Sequence, residues 1–302
     1  IPGVSHEALS LKIMERLNET FGGQLTTAID IFTNNHPKAF LHQLISSQLD
    51  MDRLDYLRRD SFYSGVTEGS VNSERLLTML NVKDDQLVVD SKGIYSVEKF
   101  LVARRLMYWQ VYMHKTVLSA EFMLVNILKR AKYIAEKGDQ LPGTAALRHF
   151  LHADYTWNDF EENPAILDKF LELDDFDVMS GIKDWTTHGD IILSQLSRRI
   201  TERNLLKIRI QADPFPPETV ERLQAAIREQ YHFTEGEEAY LFIEAKVKNH
   251  AYNNQKGHIN LLYKDGHTSD IGQAADQMTI KALSEPVERH FICFPRELKD
   301  LL

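Results

Sequence analysis

Apolar residues in the first two thirds of the chain recur at spacings of three and four, as in helices that bury one face. This pattern covers residues 1–205. It is interrupted by turn-forming sequences at Gly22–Gly23, at 34–37 and at Pro142–Gly143. The longest stretch without Pro or Gly runs from about Val97 to Lys137. We therefore predict a helical domain over residues 1–205 with one long central helix.

One segment of this helical region has a different pattern. Gln86–Asp90 is rich in β-branched and apolar residues, and it is followed by the turn-forming residues Ser91–Gly93 and by Ile94–Tyr95. Apolar residues on both sides of a turn are typical of two short antiparallel strands. We predict a small hairpin here.

After residue 205 the pattern changes to short apolar runs separated by polar segments. The predicted strands are Leu206–Ile210, Ala239–Ile243, His258–Tyr263 and Arg289–Phe294. Lys264–Gly266 is a tight-turn sequence between two strands, and Ala251–Gly257 is polar and turn-prone. The sequence thus predicts a mainly α fold, with a helical core over 1–205 and a small α+β subdomain over 206–302.

The amino-acid composition restricts the classes of protein to which this chain can belong. The chain has 302 residues, 43% of them hydrophobic, which is enough apolar material for a sizeable core. Its single cysteine, Cys293, cannot form an intramolecular disulfide, and the sequence contains no apolar run of the roughly 20 residues that span a bilayer. We expect a cytoplasmic protein that is not inserted in a membrane.

The chain is acidic, with a formal net charge of -9 from 35 basic and 44 acidic residues. This balance argues against a protein whose main task is to coat nucleic acid. An acidic protein that handles a polyanionic substrate needs clustered Arg and Lys residues or metal ions to offset repulsion.

The segment 50–60 is the strongest candidate for chemistry. In a helix, Asp52, Tyr56 and Asp60 stand four residues apart and project from nearly the same face, with Arg53 about 100° around the axis. Carboxylates suit a divalent metal, a guanidinium suits phosphate, and a phenol suits a sugar or a base. The same spacing also suits a solvated surface helix with opposite charges four residues apart.

Residues 45–61 closely resemble the signature of bacterial HD-domain deoxynucleoside triphosphate triphosphohydrolases, and more distantly that of the animal enzymes that also carry a sterile-alpha-motif domain. The resemblance implies an HD-type helical core. It also implies that Asp52 is the last Asp of a His, His-Asp, Asp metal site and that Arg53 contacts phosphate. Tyr56 and Asp60 would hold the deoxyribose.

Two further segments resemble the same family. His6 and Glu7 match a His-Glu pair at the start of a helix, which implies a role beside the reacting phosphate. Tyr112 and His114 match a motif on a long helix, which implies contact with the nucleotide, although Gln110 replaces an Arg of the animal relatives. Without the resemblance, these histidines suit ordinary helix positions and Tyr112 suits core packing.

The resemblance covers most of the chain, but this sequence lacks one of the family's motifs. The first metal His and the His-Asp doublet would precede His6, and none of the 12 histidines is followed by Asp. We therefore expect this sequence to represent part of a longer protein. With Asp52 alone of four expected ligands, the chain is expected to bind the catalytic metal weakly or not at all.

The resulting hypothesis is hydrolysis of a deoxynucleoside triphosphate to deoxynucleoside and tripolyphosphate. The resemblance implies a metal-activated water, a divalent transition metal at the HD site, and proton handling by His6 and Glu7. Magnesium would accompany the triphosphate. A homo-oligomer and a nucleotide activator are also implied.

Two alternatives remain at this stage. One is another HD-type phosphohydrolase that acts on a nucleoside monophosphate or a signalling nucleotide. The other is a non-catalytic protein that binds nucleotides or single-stranded nucleic acid, with phosphates held by the basic clusters Lys129–Lys132 and Arg198–Arg199. Solvated helix faces also explain such clusters.

Overall fold

A computed structural model of the chain describes residues 3–249, 252, 257–274 and 286–301. The α-helices are α1 (His6–Thr20), α2 (Thr26–Phe32), α3 (Ala39–Ile45), α4 (Met51–Ser64), α5 (Ser73–Met79), α6 (Ile94–Met107), α7 (Lys115–Glu136), α8 (Ala145–His152), α9 (Trp157–Glu162), α10 (Pro164–Leu171), α11 (Asp175–Trp185), α12 (Ile191–Thr201) and α13 (Pro217–Tyr231). The β-strands are β1 (Leu80–Lys83), β2 (Gln86–Asp90), β3 (Lys207–Gln211), β4 (Ile243–Asn249), β5 (Asn260–Leu262), β6 (Thr268–Asp270) and β7 (Val287–Phe294). The predicted mainly α fold is confirmed.

The chain divides into two compact units. The first unit comprises His6–His114 and Lys248–Glu288, and the second comprises Ile1–Ser5, Lys115–Val247 and Arg289–Leu302. Residues 206–302 contribute to both units. The sequence predicted two domains that divide near residue 205, which differs from the division into these two units. The predicted division stays a prediction.

Helix α4 is well defined by its ends and by its buried side. Asp50 caps its first turn, and Gly65, with a φ of 72°, takes the left-handed conformation that ends a helix. Leu54 and Leu57 are buried in the core of the first unit, where α4 packs against α6. Because one side of α4 is apolar, most of its charged residues lie on the exposed side of the helix.

The sheet of the first unit has the strand order β1-β2-β5-β6. The antiparallel pair β1 and β2 is joined by Asp84 and Asp85, whose φ values of 50° and 57° suit a two-residue hairpin turn. A hairpin therefore exists here, but the predicted one was wrong in both its turn and its second strand, because β2 pairs with the preceding β1 and not with Ile94–Tyr95. Ser91–Gly93 forms a 3₁₀ turn and Ile94 begins α6.

The predicted continuous helix from Val97 to Lys137 was also wrong. Helix α6 ends at Met107, the next five residues form a π-helical turn, and α7 begins only at Lys115. The backbone N–H of Met113 donates to the carbonyl oxygen of Tyr108 at 2.6 Å, a hydrogen bond over five residues. Neither Pro nor Gly marks this break in the sequence, so it was not predicted.

Helix α7 is the centre of the second unit. It packs against α8, α12 and β3. The three-stranded sheet has the order β3-β7-β4, and Ile208 of β3 lies opposite Cys293 of β7. Burial raises the pKa of the Cys293 thiol to about 12, so this residue stays protonated at neutral pH.

Most of the strands predicted after residue 205 are confirmed, as β3, β5 and β7. The strand predicted at Ala239–Ile243 was wrong except at its last residue. Glu237–Tyr240 forms a 3₁₀ turn instead, and Asn126 of α7 donates hydrogen bonds to the carbonyl oxygens of residues 239 and 240 at 3.3 and 3.0 Å. Lys264–Gly266 is the predicted turn between β5 and β6, whereas most of Ala251–Gly257 lies outside the described residues.

A buried ion network fixes α7 to α12. The guanidinium of Arg130 donates from Nε to Asp190 Oδ1 at 3.1 Å and from Nη2 to Asp190 Oδ2 at 2.6 Å, and Nη2 also donates to Glu237 Oε1 at 3.2 Å. The rings of Tyr133 and Tyr240 lie 5.1 and 5.3 Å from the guanidinium carbon. Such a fork with stacked aromatic rings is a geometry that Arg provides and Lys does not.

Among the described residues, no helix combines the length and the apolar character that crossing a bilayer requires. The expected cytoplasmic location stays a prediction.

We predict that replacing Arg130 by Met lowers the free energy of unfolding by about 3 kcal/mol, because both carboxylates then lose their buried partner. Urea unfolding followed by circular dichroism at neutral pH measures the change. Lys169→Met is the matched control, since Lys169 pairs with Glu172 at the surface. Its effect is expected to stay below about 1 kcal/mol.

The Arg130 network also predicts a dependence on pH. Burial opposes ionisation of Asp190 and Glu237, but their hydrogen bonds and the charge of Arg130 outweigh it and hold both pKa values below the ordinary range. The stabilisation is full above the unfolded-state pKa of about 4 and is lost as the pH falls through the folded-state values. The deficit of the Arg130→Met variant should therefore shrink in acid; an equal deficit at neutral pH and at about pH 3 would contradict this account.

Candidate functional site

The first turn of α4 is organised around a buried carboxylate. Asp50 is 1% exposed, and its two oxygens accept the backbone N–H of Arg53 at 2.8 Å and that of Ser47 at 3.1 Å. The guanidinium of Arg53 pairs with the same carboxylate. Asp50 thus holds both the backbone and the side chain of Arg53, while the neighbouring Asp52 is exposed to solvent.

Three of the residues predicted for substrate binding lie together in the first unit. The hydroxyl of Tyr112 donates to Asp60 Oδ2 at 2.8 Å. The ring of Tyr56 lies edge-to-face with that of Tyr112, with the two centroids 5.9 Å apart. One side of α4 therefore forms a polar aromatic wall together with the π-helical turn. We call Tyr56, Asp60 and Tyr112 the tyrosine wall.

The π-helical turn presents its tyrosines to α4. The rings of Tyr108 and Tyr112 lie edge-to-face at 5.1 Å, and the turn between them is one residue wider than an α-helical turn. Single π-helical turns are found frequently at functional sites, where they place side chains that a regular helix would not. Their presence here supports a binding role for this wall.

Sequence reasoning missed Arg104, which lies beside the wall. Its Nη1 donates to Gln48 Oε1 at 3.3 Å, and its guanidinium carbon lies 6.0 Å from the ring centroid of Tyr108. Within the described part of the chain, its buried Nε makes no hydrogen bond. A signal was available: Arg104, Tyr108 and Tyr112 follow one another at spacings of four residues.

Burial keeps the phenols of the wall neutral. Desolvation and the neighbouring Tyr108 raise the pKa of Tyr56 to about 12. Desolvation and the hydrogen bond to Asp60 raise the pKa of Tyr112 well above its ordinary value. Both hydroxyls therefore remain protonated and able to donate hydrogen bonds throughout the neutral and mildly alkaline range.

The predicted residues outside α4 and the tyrosine wall also belong to the first unit. His6 begins α1, is 89% exposed, and has its Nε2 atom 3.2 Å from Glu7 Oε1. Helix α1 packs against α2. His114 is exposed and follows the π-helical turn. No described contact joins His6 to the tyrosine wall, so its catalytic role, like those of Glu7 and His114, stays a prediction.

The described residues do not make up a divalent-metal site. They contain no group of three or more His, Cys, Asp or Glu side chains placed to hold an ion. Asp52 offers a carboxylate at the start of α4, but in the described part of the chain it belongs to no such group. Its predicted role as a metal ligand stays a prediction.

Most of the basic side chains proposed for nucleic-acid binding have structural partners instead. Arg130 is buried in the network described above. Lys132 donates to the carbonyl oxygens of residues 150 and 153 at 3.2 and 2.9 Å. Arg199 is buried and donates to Tyr231 at 2.8 Å and to Glu297 at 2.9 Å. These side chains hold helices together, which weakens the alternative of a nucleic-acid binder.

Comparison with known proteins gives the family. Residues 71–141 match a family described as the HD associated region. The solved structure of a phosphohydrolase from Bacteroides thetaiotaomicron is 46% identical with a TM-score of 0.92, and the match covers 98% of this chain and 73% of that one. A hypothetical protein from Aquifex aeolicus, at 21% identity and a TM-score of 0.62, covers 99% of this chain and 65% of that one and shares the fold.

Curated relatives match over shorter segments. An uncharacterised Bacillus subtilis protein, YwfO, is 37% identical over 54% of this chain and 36% of its own length. A Dictyostelium discoideum protein named as a deoxynucleoside triphosphate triphosphohydrolase homologue is 30% identical over 45% of this chain and 29% of its own length. The chain thus spans about a third of the curated relatives it matches. The 46% identical relative and the match to the HD associated region together show that the chain belongs to the HD-type phosphohydrolases.

Proposed function

We propose that this protein hydrolyses a deoxynucleoside triphosphate to the deoxynucleoside and tripolyphosphate. The observation that carries the proposal is the tyrosine wall, where Tyr56, Asp60 and the hydroxyl of Tyr112 converge on one face. Family membership and the name of the Dictyostelium discoideum relative support a nucleotide substrate. The reaction breaks the bond between the α-phosphorus and the 5′ oxygen, and water supplies the oxygen that the phosphorus gains.

The wall suits the deoxyribose of such a substrate. Asp60 accepts hydrogen bonds from sugar hydroxyls, and Tyr56 and Tyr112 offer neutral hydroxyls and aromatic edges beside it. A sugar combines an apolar ring with hydroxyl groups, so a surface with rings and one carboxylate is complementary to it. The hydrogen bond from Tyr112 holds the carboxylate in one orientation before the substrate arrives.

Two guanidiniums suit the triphosphate. Arg53 stands at the N-terminal end of α4, where the helix dipole also favours an anion. Arg104 is partly buried, and its Nε makes no hydrogen bond within the described residues. Arg side chains bind phosphate oxygens with short, charge-assisted hydrogen bonds. In this assignment Asp50 is a positioning residue, because its contact with the substrate would be made through Arg53.

The described residues do not supply the ligand set of a divalent-metal site. What this chain contributes is the binding and orientation of the nucleotide. The homo-oligomer and the nucleotide activator implied by the resemblance stay predictions.

The products of the reaction test the proposal. Full-length protein incubated with dGTP and a panel of divalent cations is expected to release deoxyguanosine and tripolyphosphate in equal amounts, measured by ion-exchange chromatography. Tripolyphosphate forms only when the bond to the sugar oxygen breaks. Release of pyrophosphate or orthophosphate as the first product would contradict the proposal and favour another phosphohydrolase of the family.

Variants of the wall test the site. Tyr112→Phe removes the donor to Asp60, and Asp60→Asn removes the charge of the acceptor. Each is expected to lower kcat/KM for dGTP by about tenfold or more, since a hydrogen bond to a charged group contributes on the order of 1.5–3 kcal/mol. Steady-state kinetics with purified variants gives the separate effects on kcat and KM.

Tyr63→Phe is the matched control for these kinetics. Tyr63 lies on the same helix and is 81% exposed, so loss of its hydroxyl is expected to leave kcat/KM unchanged. Unfolding curves of each variant show whether the protein is folded at the assay temperature. A folded Tyr112→Phe variant with the kcat/KM of the wild type would refute the assignment of the wall.

A further inference from the structure

The second unit contains a pocket that the proposed function does not use. Its volume is about 620 Å³, within the range of small-molecule sites, and it lies between α7, α8 and the N-terminal end of α11. Its walls are apolar and aromatic, and Val125, Leu128, Leu147 and Phe150 are among the lining residues. An apolar cavity of this size binds ligands with an apolar body.

The wall formed by α8 and the segment after it is fixed in place. Lys132 of α7 donates to the carbonyl oxygens of Phe150 and Ala153, which holds the end of α8 against α7. The hydroxyl of Tyr155 lies 2.8 Å from His149 Nε2, and the two rings are stacked with their centroids 5.1 Å apart. The aromatic part of the pocket is therefore formed before any ligand binds.

The charged groups around the pocket differ in whether they are paired. Lys132 pairs with Asp154 at 2.9 Å, and Asp174 Oδ1 accepts the backbone N–H of residue 176 at 2.8 Å. For Lys129 and Asp175, no hydrogen bond or ion pair is found with other described residues. One carboxylate and one ammonium group at the pocket are thus available to a ligand.

The charge of the surrounding chain determines whether the pocket favours a cationic or an anionic ligand. Residues 154–177 contain nine Asp and Glu side chains and one Lys, Lys169, so this segment carries most of the net charge of -9. Both ends of the segment line the pocket, at Asp154 and Tyr155 and at residues 173–175. The resulting negative potential attracts a cation and repels an anion. Lys129 is exposed, and its flexible stem allows the ammonium group to extend into water.

We propose that this pocket binds a cationic amphiphile, with its apolar body against Leu128, Leu147 and Phe150 and its ammonium group beside Asp175. The apolar body removes the leucine and aromatic surfaces of the pocket from water. The ammonium group pairs with a carboxylate in a strongly acidic surrounding. This binding is separate from the hydrolysis proposed above and does not depend on it.

Two probes with the same chain and opposite head groups test the sign of the charge. Dodecyltrimethylammonium and dodecanoate are titrated into full-length protein below their micelle-forming concentrations, and binding is measured by isothermal titration calorimetry. The cationic probe is expected to bind at one site and more tightly than the anionic probe. Equal or tighter binding of dodecanoate, or no binding of either probe, would overturn the proposal.

Variants then locate the binding. Asp175→Lys is expected to weaken binding of the cationic probe by about three- to tenfold and Asp175→Asn by less, while Lys129→Glu strengthens it. Val125→Trp fills the pocket from an exposed wall position and is expected to abolish binding. Asp184→Lys is the matched control, because Asp184 is exposed on the same helix but does not line the pocket.

The variants together show whether the probe binds in the pocket or adsorbs to the acidic surface. Binding that responds to Asp175→Lys and Val125→Trp but not to Asp184→Lys supports the pocket as the site. Binding that Val125→Trp leaves unchanged, or that Asp184→Lys weakens as much as Asp175→Lys, would reflect adsorption to the acidic surface and would overturn the proposal.

Discussion

The hydrogen bond from Tyr112 to Asp60 joins two segments that lie 52 residues apart in the sequence. Asp60 stands on α4, whose apolar side is buried in the core of the first unit, and Tyr112 ends the π-helical turn after α6. This bond brings a residue from outside α4 to its polar side, which by itself is a solvated helix face. The hydroxyl that donates this bond lies at the end of the π-helical turn Tyr108–Tyr112.

Local spacing predicted which residues of one helix share a face, whereas their roles in binding came from the family resemblance. Asp52, Tyr56 and Asp60 were placed on α4 from their four-residue spacing alone, because that geometry depends only on the helix. Tyr112 came from a family resemblance, and Arg104 was missed. Which residue of one helix meets another depends on tertiary packing, which periodicity does not encode. The buried carboxylate of Asp50 was missed for the same reason, since its role appears only when the chain before α4 folds back on it.

The fold was predictable where turn residues interrupt it. Helices end near Gly22–Gly23 and before Pro142, as the sequence indicated, and the strands β3, β5 and β7 follow apolar runs. The π-helical turn escaped prediction because it contains neither Gly nor Pro. The hairpin partner was misplaced because Asp84 and Asp85 form the turn through positive φ angles, whereas Ser91–Gly93 has the more familiar turn composition. In both cases a backbone conformation, and not a residue type, determined the structure.

The arginine side chains have different surroundings in the two units. In the second unit, Arg130 and Arg199 are buried among carboxylates and phenols and stabilise the packing of helices, whereas in the first unit Arg53 and Arg104 lie beside the tyrosine wall. The proposed function requires that a nucleotide binds at the tyrosine wall of the first unit. The most direct measurement is a crystal structure of the full-length protein with a non-hydrolysable deoxynucleoside triphosphate. The deoxyribose is predicted to lie against Tyr56, Asp60 and Tyr112; a nucleotide bound elsewhere, with this wall facing solvent, would contradict the account.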